Sequence, residues 1–271
     1  MSGIHAPSAP ILCSFSNPDE LVDSLAQFIV KAQKEAVQKK GRFTVAISGG
    51  SLPQQLSGLI GRPGVKWDKW QVYYADERIV PLDHADSNHR LCEEHLWSKV
   101  PIPKENIHTI DSQLIEAASA EPAEDAEDAL EEIADAYEQE LIHEFANKDS
   151  ARFPIFDLIL LGVGPDGHIG SLFPGHALLS EDDRWVAYIT DSPKPPPRRF
   201  TLTFPVINHA ARVAFVASGA GKADTLHTVL DKPEVGLPAS RVRPSAPGQV
   251  YWFVDDAAAA KVEYPRTQLK L

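Results

Sequence analysis

The stretch Phe43-Thr44-Val45-Ala46-Ile47-Ser48-Gly49-Gly50-Ser51 decides the fold. Its first five residues are largely apolar and β-branched, without polar alternation, the pattern of a strand buried on both faces in a parallel sheet. The strand runs straight into a turn with two glycines and two hydroxyls. Pro53 then stands where a helix opens, and the spacing predicts that helix over 53–60.

The same order of strand, glycine turn and helix recurs outward from this point. Upstream, Asn17 caps a helix with Pro18 first and Glu20 third, and Gly41 ends it. Leu21, Val22, Leu25, Phe28, Ile29 and Ala32 form its apolar stripe. Downstream, a strand over 71–74 delivers Ala75-Asp76-Glu77-Arg78, followed by a helix over 87–100 and a short strand over 107–110. The most apolar strand, 156–161, ends in Gly162-Val163-Gly164-Pro165-Asp166-Gly167-His168. A strand over 185–189 precedes the proline run 193–197, which must be loop because proline supplies no backbone donor. A strand over 212–217 leads into Ser218-Gly219-Ala220-Gly221-Lys222 and a helix to Leu230. The last strand, 249–254, precedes an Ala-rich terminal helix. This alternation predicts an α/β, Rossmann-like, mostly parallel sheet with helices on both faces. We expect a single domain over 11–271 behind a short N-terminal extension, 1–10. Ligands of such sheets bind beyond the carboxyl ends of the strands, where the four glycine and polar clusters fall.

The chain has 271 residues and a net charge of −12. Residues 116–147 hold 12 acidic side chains and no lysine or arginine, so the rest is balanced at 26 of each sign. A neutral body without a basic face excludes a duplex nucleic-acid binder. No apolar run is long enough for a membrane span, and no signal peptide is visible at the start. Two cysteines, Cys13 and Cys92, fit a reducing compartment, so we expect a cytoplasmic protein. From Leu130 onward the acidic segment has apolar residues at helical spacing, with its acids on a solvated face. Residues 116–125 read as loop or fraying helix start.

Ser48–Ser51 offers outward amides and hydroxyls at a helix start, a natural anion site, although a tight strand–helix turn would need the same glycines. Gly162, Gly164 and Gly167 satisfy G-x-G-x-x-G, but Pro165 inside the turn and Pro174-Gly175 beyond it deny the long helix that a dinucleotide site requires. His168, two residues past Asp166 on a glycine loop, reads instead as a placed acid–base group. Lys222 opens a helix after two glycines and suits a phosphate, while Val216 and Ala223 break the nucleoside-triphosphate loop pattern. Arg198 and Arg199 leave the proline run as a candidate guanidinium clamp, against the plain reading of two surface arginines. His84 and His89 with Asp83 and Asp86 match no zinc spacing, and no metal is expected. His176 is an outside candidate for the pocket. No G-x-S-x-G elbow occurs.

Together these stretches resemble the glucosamine-6-phosphate deaminase/6-phosphogluconolactonase family. Ser48-Gly49-Gly50-Ser51, Ala75-Asp76-Glu77-Arg78, the Gly162 to His168 turn with Ser171-Leu172-Phe173-Pro174-Gly175, and Pro195-Pro196-Pro197-Arg198-Arg199 carry the likeness in order. Gly219-Ala220-Gly221-Lys222 and Leu237-Pro238-Ala239-Ser240 extend it to nearly the whole chain. The resemblance implies hydrolysis of a sugar-phosphate lactone without cofactor. In the deaminases a glutamate follows the loop histidine by five residues, where this chain has Phe173. A non-catalytic sugar-phosphate-binding regulator is the other reading. The resemblance further implies His168 as general base, oriented by Asp166 or Asp76. Ser48, Gly49, Gly50, Ser51, Arg78, Arg199 and Lys222 would hold phosphate, and the loop of Gly164 and Gly167 would supply oxyanion amides. The partner expected is the small-molecule lactone alone, bound by a monomer or weak homodimer.

Overall fold

The computed structural model describes residues 7–120, 127–145 and 152–269. Strand β1 (Ile11–Phe15) leads into helix α1 (Pro18–Lys40), followed by β2 (Phe43–Ile47), the short α2 (Leu52–Gln55) and β3 (Trp70–Tyr74). Next come β4 (Asp76–Arg78), α3 (Asn88–His95), α4 (Ser112–Ala120), α5 (Glu127–Phe145) and β5 (Leu158–Leu161). The remainder is β6 (Val186–Ile189), β7 (Arg199–Leu202), α6 (Phe204–Ile207), β8 (Arg212–Ala217), α7 (Ala223–Asp231) and β9 (Gln249–Asp255). The Asn17 side chain accepts the Glu20 amide and Gly41, at φ 76°, closes α1, as its sequence predicts.

Six strands form one sheet in the order β1-β9-β8-β5-β2-β3, and every neighbouring pair is parallel. Central β2 and β5 are buried along their whole length. From β2 the chain moves outward to β3, then returns past it to β5 on the other side. That reversal makes the crevice beyond the carboxyl ends of β2 and β5 a topological switch point. Both ends of this pair are pinned. Asp157 Oδ2 accepts the Thr44 amide at 3.0 Å and its hydroxyl at 2.9 Å, and Lys40 sits 3.0 Å from the other oxygen. At the far end the Gly162 amide donates to Ser48 Oγ at 3.0 Å.

A second, antiparallel sheet has the order β4-β7-β6. The 185–189 strand belongs here rather than to the main sheet, and β4 and β7 lie in stretches that read as ligand loops. Three or four residues carry too little periodicity to announce a strand. Alternation along β4 turns Asp76 and Arg78 to the cleft and Glu77 to the other side. Glu77 there accepts the amides of Arg78, Asn88 and His89 and the Ser87 hydroxyl. Burial pushes its carboxyl up to about 7, against the pull of those donors. The first turn of α3 thus hangs on one buried carboxyl group.

Several boundaries differ from expectation for local reasons. The 53–60 helix is only α2 followed by a 3-10 turn, because Gly58 packs so closely on α1 that a Cβ would lie 2.8 Å from Val22 O. The 87–100 helix ends at His95, where Leu96 leaves helical geometry and Trp97 turns into the core to bond Tyr74. Ile107 makes a single bridge to Val72 instead of a strand, and His108 O is taken by Tyr137 Oη. Of residues 116–125, expected as loop or fraying helix start, 116–120 belong to helix α4 and 121–125 lie outside the described residues. The Ala-rich segment is a run of turns, since Asp255 accepts the Ala258 amide and Arg266 comes back to pair with Leu12. The acidic face of α5 is not simply solvated. Glu138 accepts the Trp185 and Val186 amides, and Arg184 pairs with Glu131 and Asp135.

Replacing Glu77 with alanine leaves one buried and two partly buried amides unpaired and should lower the unfolding free energy in urea by about 2–4 kcal/mol. A loss under about 0.5 kcal/mol, the range of a bland surface change, would show that α3 keeps its place without the carboxyl group.

Candidate active site

A single cleft of about 240 Å³ opens at the switch point. Of the residues nominated from the sequence, all but Asp166, Gly167, His176 and Arg198 line it, and Asp166 reaches it through His168.

The turn after β5 places His168, the candidate acid–base group. Gly164 N donates to His168 O at 2.9 Å, which folds the imidazole back over Gly164. A Cβ on Gly164 would fall 2.0 Å from that ring, so only glycine fits. His168 Nδ1 lies 2.5 Å from Asp166 Oδ1. A carboxylate at that distance places the ring proton on Nδ1 and leaves the Nε2 lone pair free. Nε2 has no hydrogen-bond partner among the described residues. Phe173 packs its ring 4.7 Å from the imidazole. Burial lowers the His168 pKa below its ordinary value, although Asp166 pulls it up, so the neutral, proton-accepting form prevails near pH 7. For Asp166 burial works upward, yet its bond to His168 and the charge of Lys194 hold it below the usual carboxylate range.

Asp76, the other carboxylate nominated to orient His168, does not touch the ring. Its Oδ2 accepts the Ser171 hydroxyl at 3.0 Å, and Asn88 Nδ2 donates to its backbone oxygen at 2.8 Å. The three glycine amides of the loop, candidates for an oxyanion, are taken up within the protein. Gly162 donates to Ser48 Oγ, Gly164 to His168 O and Gly167 to Gly164 O. Gly167 instead serves the turn, at φ 82°, with Leu237 packed against it.

The cationic part of the cleft comes from two sources. Arg78 of β4 and Arg199 of β7 are cross-strand partners in direct register. Like charges so placed repel, and burial, then Arg78, lower the Arg199 pKa. Arg78 donates to Asp86 O while its Nε stays buried without a partner. Arg199 is 2% exposed and donates to the carbonyls of Lys194, Pro195 and Pro196, with its guanidinium over the Phe173 ring. Lys222 bonds Val163 O at 2.7 Å, which leaves two ammonium protons for a ligand. The amides of Gly49, Gly50 and Ser51 donate to no group among the described residues. Helix α2 is too short for its dipole to matter, so these free amides carry the anion-binding capacity of the turn. Asn88 explains Gly49, where a Cβ would meet Asn88 Oδ1 at 1.8 Å.

Arg198 is no clamp: its Nη1 donates to Ala118 O of α4. His176 lies outside the cleft, bonded to Asp191, while His84 faces Asp86 and His89 bonds Tyr74. Sequence reasoning missed Asn88, Ser171 and Lys194. Asn88 is an ordinary polar residue with no motif to mark it, whereas Ser171 opens the quoted Ser171-Leu172-Phe173-Pro174-Gly175 stretch without a role having been given to it. Lys194 had a signal, a cation inside the same proline run that pointed to the arginines.

Residues 16–252 match the family model described as glucosamine-6-phosphate isomerases/6-phosphogluconolactonase. The chain is 43% identical over 260 residues to a probable 6-phosphogluconolactonase of Schizosaccharomyces pombe, covering 95% of this chain and 97% of that one. It is 42% identical over 267 residues to the 6-phosphogluconolactonase of Rattus norvegicus, covering 96% of each. The solved structure of 6-phosphogluconolactonase from Trypanosoma cruzi superposes with a TM-score of 0.80 at 28% identity, over 96% of this chain and 99% of that one. With its sheet order, its oriented histidine and these matches in agreement, the chain belongs to the glucosamine-6-phosphate isomerase/6-phosphogluconolactonase family.

Proposed function

We propose that this chain hydrolyses 6-phospho-D-glucono-1,5-lactone to 6-phospho-D-gluconate, the second step of the oxidative pentose phosphate pathway. Relatives named for that activity at 42–43% identity over nearly the full chain support the reaction. The observation that carries the site assignment is the charge of the cleft. Arg78, Arg199 and Lys222 line it against one carboxylate, Asp76. The surplus matches the charge of about −2 that a phosphate monoester bears at neutral pH.

A lactone is an activated ester, so water and a general base suffice. His168 Nε2 takes a proton from water as the water oxygen bonds to C1. The carbonyl becomes an oxyanion, the bond from C1 to the ring oxygen breaks, and the imidazolium returns its proton to that oxygen. Asp166 keeps the ring aligned and stabilises the imidazolium formed on the way. Phosphate bound by the cations and the Ser48–Ser51 turn converts remote binding energy into placement of C1 beside Nε2. Phe173 stands at the sequence position where the deaminases carry their glutamate, which disfavours amino-sugar chemistry. A silent sugar-phosphate sensor has no need of a carboxylate-oriented imidazole. The reading takes residues 11–271 as one catalytic domain, in a cytoplasmic protein; no helix among the described residues is long and apolar enough to cross a membrane. It acts as a monomer or weak homodimer, since Ile60 and Val235 are the only large apolar side chains exposed among the described residues.

The test is an assay that makes the lactone with glucose-6-phosphate dehydrogenase and reads its hydrolysis with 6-phosphogluconate dehydrogenase, beside a glucosamine-6-phosphate deamination assay. His168→Ala should lower kcat by about 10²–10⁴, the usual worth of a general base. Unchanged turnover, after correction for spontaneous hydrolysis, would remove His168 from the chemistry.

Lys222→Ala should raise KM roughly 10- to 100-fold with kcat nearly kept, the worth of one charge-assisted hydrogen bond to phosphate. A loss in kcat alone would show that Lys222 does more than anchor the substrate.

A further inference from the structure

Between β6 and β7 the chain passes beside His168 as a proline-rich strap that carries Lys194. The strap is fixed without help from the Lys194 side chain. Ser192 Oγ donates to Lys194 O at 2.8 Å, and buried Arg199 donates to the carbonyls of Lys194, Pro195 and Pro196. The Lys194 ammonium is thereby held 3.4 Å from Asp166 Oδ1 and 3.1 Å from His168 Nδ1. Nδ1 already carries the proton it gives to Asp166, so ammonium and N–H are two donors facing each other. Their closeness is tolerated because one carboxylate oxygen serves both.

We infer that Lys194 is a positioning residue for the hydrolysis: its ammonium balances Asp166, so that the carboxylate orients the imidazole without converting it to imidazolium. The inference rests on the lactonase reading above. An aspartate against a histidine favours the charged ring, and a charged ring cannot take a proton from water. The groups that face His168 are Asp166 on its own loop, Asp76 on β4 and Lys194 on the strap. Lys222 lines the same cleft as His168 and lies within electrostatic reach of Lys194 and Asp166, and Arg199 lies across the Phe173 ring. Burial does most to keep the ring neutral, the two aspartates oppose it, and Lys194 is the cation that acts against them. The side chain is 39% exposed, so its charge is partly screened. Removing it makes protonation easier. The His168 pKa then rises, and the acidic limb of kcat/KM moves to higher pH.

Two measurements on the full chain test this. The first follows the His168 Cε1–H resonance, assigned by its loss in His168→Gln, through a pH titration of the wild type, Lys194→Gln and Lys194→Arg. The second records pH profiles of lactone hydrolysis for the same proteins. In Lys194→Gln the His168 pKa should rise by about one unit, with the acidic limb moving equally. Turnover on the acidic side should fall about tenfold, while KM at pH 8 stays within about twofold of the wild type. Lys194→Arg should restore both. An unmoved resonance in Lys194→Gln overturns the inference, as does a rise in KM with the acidic limb in place, which would make Lys194 a phosphate ligand. Absence of lactone hydrolysis by the wild type would overturn the reading of the reaction, and the resonance would still decide the role of Lys194.

Discussion

The pairing of β2 with β5 is the constraint on which the site depends. These strands are neighbours in the sheet but more than a hundred residues apart in the chain, and each ends in a glycine turn. Their parallel register brings the two turns side by side, one with free amides and one with the imidazole. The Ser48 hydroxyl accepts the Gly162 amide across the gap, so a group in the proposed anion-binding turn satisfies the backbone of the turn that carries the imidazole. Anion and base therefore keep a fixed separation, which is what a substrate carrying a phosphate and a reactive carbonyl requires.

Lys222 follows β8 of the main sheet, but the other two cations of the cleft come from elsewhere. The second sheet delivers Arg78 and Arg199 as opposite members of one strand pair. That arrangement costs stability in the empty protein, since like charges directly opposite repel. It also means that the cleft gains more from an anion than two separated arginines would. Arg199 has a second duty, since its guanidinium holds the carbonyls of the strap that brings Lys194 to His168. Charge for the substrate and charge balance for the base are joined through one buried side chain.

Much of this could be read from the residues. Glycine turns at strand ends are explicit, because positive φ and close approach leave no alternative: Gly164 must admit the His168 ring, and Gly49 must admit Asn88. The buried parallel strands were equally plain, since their apolar runs have no polar face. The second sheet was hidden because β4 and β7 are three and four residues long and each is dominated by its functional side chains. Asn88 was hidden for another reason. It sits at the start of an ordinary helix, and only the bonds that its amide donates to Glu77 and its side chain donates to Asp76 bring it to the cleft. Short-range pattern reveals what backbone geometry demands, whereas a side chain recruited by a distant carboxylate leaves no local mark.

The acidic segment acquires a different meaning from the same logic. A chain of net charge −12 with a proposed anion site invites the idea of a repelling field, but exposed charges act only within a Debye length of about 8 Å at physiological salt. Contact decides the matter instead. Glu138 of α5 accepts the first two amides of the β6 region, at an edge of the second sheet where donors would otherwise stand open. Strand β6 fixes the register of β7, pairing Ile189 with Arg199, and β7 in turn sets Arg199 opposite Arg78. Negative side chains on a covering helix thus help to hold the positive ones of the cleft in register.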